Sequence, residues 1–176
     1  MKLTDKEFLE TELQNGISYD NQLFRDLAEV TANQVKDIGI KTVLDYGAGV
    51  GVYSDAFHNA GFDVVAYEIF EAHRDYMNKK VPHIKIVDKP ITTDLMAFIE
   101  VAEHMTDKEL NELFKLIKPK YILFSSTSQK TDFDESWGHI NIKSQDEWVT
   151  FFDKIGYTKV NDFGAPTLWT KLFKRR

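Results

Sequence analysis

The residues best equipped for chemistry stand together near the end of the first third of the chain. Asp45-Tyr46-Gly47-Ala48-Gly49-Val50-Gly51 is a carboxylate followed at alternate positions by three glycines. Glycine permits a tight turn and lets the backbone approach a ligand, and the start of a following helix offers amides and a partial positive charge. The G-x-G-x-x-G spacing of a dinucleotide site is not met: the third glycine comes two residues after the second, and Val52 takes the place of the final Gly. A carboxylate two residues before the first glycine would repel a pyrophosphate but suits an ammonium group. The turn therefore reads as a site for a zwitterionic nucleoside. Glu68, 17 residues beyond Gly51, is placed to accept the two hydroxyls of a ribose. Asp88 is an acceptor suited to an exocyclic amine, and Ile69 and Phe70 could wall a purine. Asp45 and Asp88 also have plain structural readings, as a cap and as a turn residue before proline.

These residues need strands that end beside them and helices that start there. Thr42–Tyr46, Val64–Glu68, Ile84–Val87, Leu95–Ile99 and Tyr121–Phe124 are short apolar runs rich in branched and aromatic residues and read as strands. Several are apolar at consecutive positions, as strands covered on both faces are. Helices alternate with them. Thr106 with Glu109, and Ser144 with Glu147, are capping pairs. Leu110, Leu113, Phe114 and Ile117 follow the first pair, and Trp148, Phe151, Phe152 and Ile155 the second, each at helical spacing. A third helix runs from about Gly51 to Ala60. Lys159–Asp162 and Leu168–Phe173 have no helix between them and form a hairpin.

The fold class expected is α/β: a three-layer α-β-α Rossmann-like sandwich with a mostly parallel seven-stranded sheet ending in an antiparallel hairpin. Residues 1–176 are expected to make one domain, with 1–40 as N-terminal helices, contributing Phe24, Leu27, Ala28, Val35 and Ile38 to the core, and 41–176 as the Rossmann-like body.

Composition removes other functions. A net charge of -6 disfavours a phosphate backbone as partner. Lys171, Lys174, Arg175 and Arg176 read as a solvated tail. The absence of cysteine excludes disulfides, thiolate nucleophiles and zinc fingers. No His and acids share ligand spacing along the chain, so no metal is expected. There is no apolar run long enough to span a membrane and no apolar leader, so the expected location is cytoplasmic.

In this order the motifs resemble the class I S-adenosylmethionine-dependent methyltransferases, particularly the small-molecule branch of ubiquinone-biosynthesis-type O-methyltransferases. Val43–Gly51 resembles that family's first motif, Glu68 its ribose-binding acid, Asp88 its adenine-binding acid, and Asp94–His104 its fourth-strand motif with a closing Glu-His pair. The resemblance covers roughly residues 40–173. It implies S-adenosylmethionine as cofactor, held by Asp45, Tyr46, Gly47, Ala48, Gly49, Glu68, Ile69, Asp88 and Ile99. It also implies methyl transfer to an O or N nucleophile of a small molecule, without nucleic acid or membrane as partner. The alternative is a non-catalytic S-adenosylmethionine-binding module or partner subunit.

Methyl transfer can use a base near neutral pH, which makes His104 a catalytic candidate. Its other reading is as part of a turn, with Glu103, before the Thr106 helix. In the loop 125–143, Trp137, His139 and Asn141 are candidates for the substrate side, with His139 a second catalytic candidate. The Asn/Asp-Pro-Pro-aromatic signature of amino-directed DNA methyltransferases is absent after the fourth strand, where Ile99-Glu100-Val101-Ala102 stands instead.

Overall fold

Three helices begin with the same reciprocal device. Thr4, Thr106 and Ser144 each accept the amide of the residue three positions on, while Glu7, Glu109 and Glu147 return a bond to the cap backbone. This satisfies amides that no helix can satisfy internally. A computed structural model describes residues 3–132 and 134–176, the side chains of Glu135 and Ser136 excepted. It comprises two units, residues 1–90 and 91–176.

The first unit runs α1 (Asp5–Gln14), α2 (Gln22–Asn33), β1 (Thr42–Tyr46), α3 (Val52–Asn59), β2 (Asp63–Tyr67), α4 (Glu71–Lys80) and β3 (Lys85–Ile86). Its strands lie in the order β3-β2-β1 and are parallel. Val43 pairs with Val64, Leu44 with Val65 and Asp45 with Ala66, so β1 and β2 end side by side. Ala48, Ala66, Met77, Val81 and Ile84 form a buried cluster at this end. Ala28 and Val35 are buried, as the sequence predicts, while Phe24, Leu27 and Ile38 are half-buried.

The second unit runs β4 (Leu95–Ile99), α5 (Asp107–Leu116), β5 (Tyr121–Ser125), α6 (Asp134–Trp137), α7 (Gln145–Lys154), β6 (Tyr157–Asp162) and β7 (Lys171–Arg175). β4 and β5 are parallel, with Ile99 opposite Ser125. β7 lies antiparallel between β5 and β6. Its core is aromatic: the Phe152 ring sits 4.8 Å from Phe124 and 4.4 Å from Phe173, and Trp148 lies 5.1 Å from Phe124.

The last strand starts later than the sequence reading puts it. Leu168 is 82% exposed, because Thr167 and Thr170 close a turn on one another, Thr170 N donating to Thr167 O and Thr167 N to Thr170 Oγ1. The last strand therefore starts at Lys171 and carries three of the four basic residues expected to fray, Lys171, Lys174 and Arg175. Lys171 is buried, its Nζ donating to Gln145 and Asp162. Among the described residues no helix is long and apolar enough to cross a membrane.

Candidate functional site

The glycine turn is built on positive backbone angles. Gly47, Gly49 and Gly51 have φ of 73°, 53° and 79°, the left-handed region in which a side chain is strained. The glycines differ in their surroundings. A Cβ on Gly51 would lie 2.9 Å from Val81 Cγ2 and 3.0 Å from Met77 Cγ, so this glycine lets the start of α3 pack against α4. A Cβ on Gly49 would meet nothing within 4 Å. The backbone there opens onto space, as a ligand cradle must.

Glu68 ties the turn together. It is 6% exposed, and its carboxylate accepts Gly49 N at 2.9 Å and Phe70 N at 2.8 Å. Each oxygen keeps a further lone pair. Gly47 N and Ala48 N both donate to Tyr67 O, which fixes the turn to the end of β2. Arg74 clamps the next bend, donating to the carbonyls of Glu68 and Ile69. Tyr46 stacks on Tyr67 with ring centroids 4.9 Å apart. Ile69 is 63% exposed beside this bend, and Asp88 is exposed after β3.

Asp45 is buried, and Ser54 Oγ donates to its Oδ2 at 2.6 Å. Burial pushes its carboxyl up to about 6. The Ser54 hydrogen bond opposes that shift, and the neighbouring Glu68 charge adds to it. The carboxylate is thus joined to α3 as well as being the acid of the turn. Asp45, Glu68 and the open face at Gly49 fit a ligand that brings a cation and hydroxyl donors.

The second unit gathers different groups. Ile99 closes β4 and is buried, and Glu100 follows in a left-handed conformation, φ 52°. The Glu100 carboxyl accepts Ser125 Oγ and Thr127 Oγ1. Burial, with the Glu103 charge next in weight, pushes it up to about 8. Glu103, His104 and Ala102 form a single 3-10 turn. Glu103 is fully buried, accepting Ser126 Oγ at 2.9 Å and Thr127 N at 3.2 Å.

His104 Nδ1 donates to Gly138 O at 3.3 Å, and His139 Nδ1 to Asp134 Oδ1 at 2.8 Å; the two rings meet edge to face, 4.9 Å between centroids. Burial, helped by the proximity of His139, holds His104 down at about 4, so its ring is neutral at pH 7. Asn141 donates to Met105 O and Asp107 Oδ1 and pins the loop. Trp137 is half-buried in α6.

Ligand atoms of Glu103, His104 and His139 all lie within 4.8 Å of one another. Spacing along the chain does not show this grouping. His104 and His139 are 35 residues apart, and only the fold brings them together. Sequence reading also leaves unread the part of Ser54, whose signal is its place one turn into the helix after the glycines.

A methyltransferase-domain model matches residues 19–161, and the chain belongs to this family of S-adenosylmethionine-dependent methyltransferases. No curated protein matches it by sequence. Many solved structures resemble it, three of them as follows. The magnesium protoporphyrin IX methyltransferase of Synechocystis PCC 6803, solved with bound SAM, is 14% identical over 96% of this chain and 84% of its own, with a TM-score of 0.66. The mitomycin 7-O-methyltransferase MmcR is 13% identical at TM-score 0.64, and the pyocyanin biosynthetic protein PhzM 12% identical at 0.63; they cover 99% and 87% of this chain. The chain spans 61% and 56%, respectively, of those two proteins. At such identities the likeness shows the fold: a Rossmann-like α/β sandwich with a seven-stranded, mostly parallel sheet ending in an antiparallel hairpin. S-adenosylmethionine is the cofactor of the family.

Proposed function

We propose that the chain transfers a methyl group from S-adenosylmethionine to an oxygen or nitrogen nucleophile of a small molecule. The observation that carries this reading is the open backbone face at Gly49, bonded to a buried Glu68 and preceded by a buried Asp45. Bound there, the cofactor supplies a sulfonium methyl open to in-line displacement. Asp45, Tyr46, Gly47, Ala48 and Gly49 hold its amino-acid end. Glu68 takes the ribose hydroxyls, Asp88 and the exposed Ile69 the base, and Ile99 supplies an apolar contact. Positioning can contribute on the order of 7–11 kcal/mol to such a displacement. The reaction therefore does not depend on a strong base, and His104, held neutral, is a weak one. His139, Trp137 and Asn141 are the candidates for the acceptor side. The net charge of -6 favours a small acceptor over a nucleic acid, and the reading places the reaction in the cytoplasm.

Calorimetric titration with S-adenosylmethionine, followed by transfer of a labelled methyl group to a panel of small hydroxyl and amine acceptors, tests the reading. Saturable binding with label transfer supports it. Binding without transfer to any acceptor favours a non-catalytic module, and affinity for a nicotinamide dinucleotide instead would remove it altogether.

A further inference from the structure

The Glu103, His104 and His139 side chains each bring a potential ligand atom within 4.8 Å of the other two. His104 Nδ1 faces a carbonyl oxygen and His139 Nδ1 a carboxylate oxygen, so Nδ1 carries the hydrogen in each ring. In the neutral tautomer the lone pair is then on Nε2. A histidine whose outer nitrogen is anchored to a carbonyl or carboxylate while the other faces inward is how proteins orient metal-binding imidazoles. The third donor, the Glu103 carboxylate, is held by Ser126 and Thr127. Its backbone carbonyl also accepts Ile140 N at 2.8 Å and Asn141 N at 3.0 Å, which fastens the loop bearing His139 to the turn bearing the other two residues.

We propose that Glu103, His104 and His139 bind a divalent first-row transition ion of the manganese-to-zinc series, with Asp134 and Gly138 O as the outer groups that orient the two rings. Two imidazoles and one carboxylate suit these ions better than Mg2+ or Ca2+, which take oxygen donors. Donors on one such ion sit about 2.0–2.2 Å from it, hence no more than roughly 4.4 Å apart. The span here is 4.8 Å at most, about 0.4 Å beyond that limit. Three protein donors leave coordination positions open. An acceptor hydroxyl could occupy one, favouring oxygen over nitrogen as the methylated atom; that consequence alone rests on the methyl-transfer reading, and the binding test does not.

The test uses the full chain stripped with a chelator and titrated with Co2+ and Zn2+, read by calorimetry and by the visible absorption of bound Co2+. One ion per chain is expected. His139→Gln and His104→Gln should each weaken binding more than 100-fold, and Asp134→Asn by about 10- to 100-fold. His139 lies on a loop, so His139→Gln decides the matter if His104→Gln does not fold. His83→Gln is the control, because His83 and His58 form a second histidine pair, 4.9 Å between centroids, with Asp55 2.7 Å from His83 Nε2. The proposal is overturned if the wild-type chain shows no saturable one-to-one binding, or if binding survives His139→Gln, and loss in His83→Gln instead would assign the ion to the other histidine pair.

Discussion

The glycine turn of the first unit and the Glu100–His104 segment of the second are built on opposite principles. The turn is made of backbone, with three positive φ angles and amides spent on Tyr67 O and the Glu68 carboxylate. The other region is made of side chains: two carboxyls and two imidazoles whose orientations depend on Ser125, Ser126, Thr127 and Asp134. A backbone site tolerates changes at its non-glycine positions and fails at glycine. A side-chain site fails wherever a donor or its support is lost, even when the fold survives.

The sharpest contrast lies within the turn, between Gly51 and Gly49. Gly51→Val should destabilise the chain by about 2–4 kcal/mol, because strain in the left-handed region adds to overlap with Met77 and Val81. Gly49→Val carries the strain without the overlap. We expect it to fold, with a melting temperature lowered by a few degrees, roughly 1–2 kcal/mol, and to lose S-adenosylmethionine binding at least 100-fold. Equal melting losses in the two variants would erase the distinction between a packing glycine and a cradle glycine.

Asp45 predicts a pH effect. Its folded pKa, about 6, lies above the ordinary carboxylate value of 3.8, so the buried charge opposes folding above pH 6, and this penalty fades as pH falls toward 4. Its size is on the order of 3 kcal/mol. Asp45→Asn keeps an acceptor for Ser54 and removes the ionisation. Without cofactor, it should gain most over wild type above pH 6 and little near pH 4 in denaturant titrations. A difference independent of pH would show that Asp45 is ionised without cost.

Glu68→Gln should cost about 1–3 kcal/mol, since one of the two amides it accepts would face an NH2 group, and should weaken cofactor binding. Thr106→Ala gives the smallest change, about 1 kcal/mol from the lost cap of α5. A larger loss would mean that this cap also supports the neighbouring turn bearing Glu103 and His104.

The local devices were legible in the residues because their causes are local. The capping pairs Thr106 with Glu109 and Ser144 with Glu147 formed as their spacing predicts, and Thr4 with Glu7 carries the same signal at α1. α4 was not legible, because it buries only His73 and Met77 and shows no apolar stripe. The last strand was misplaced because Leu168 belongs by composition to a strand but by the Thr167–Thr170 bonds to a turn.

What the sequence determined by itself is most of the strands, the capped helices α5 and α7, the glycine turn and the two acids beside it, since backbone freedom, capping and apolar runs act over a few residues. The tertiary structure alone decided that Gly51 packs while Gly49 stays open, that Ser54 reaches Asp45, and that His139 meets His104 and Glu103. Those depend on which atoms face each other after the chain turns back, and spacing along the chain carries no record of that.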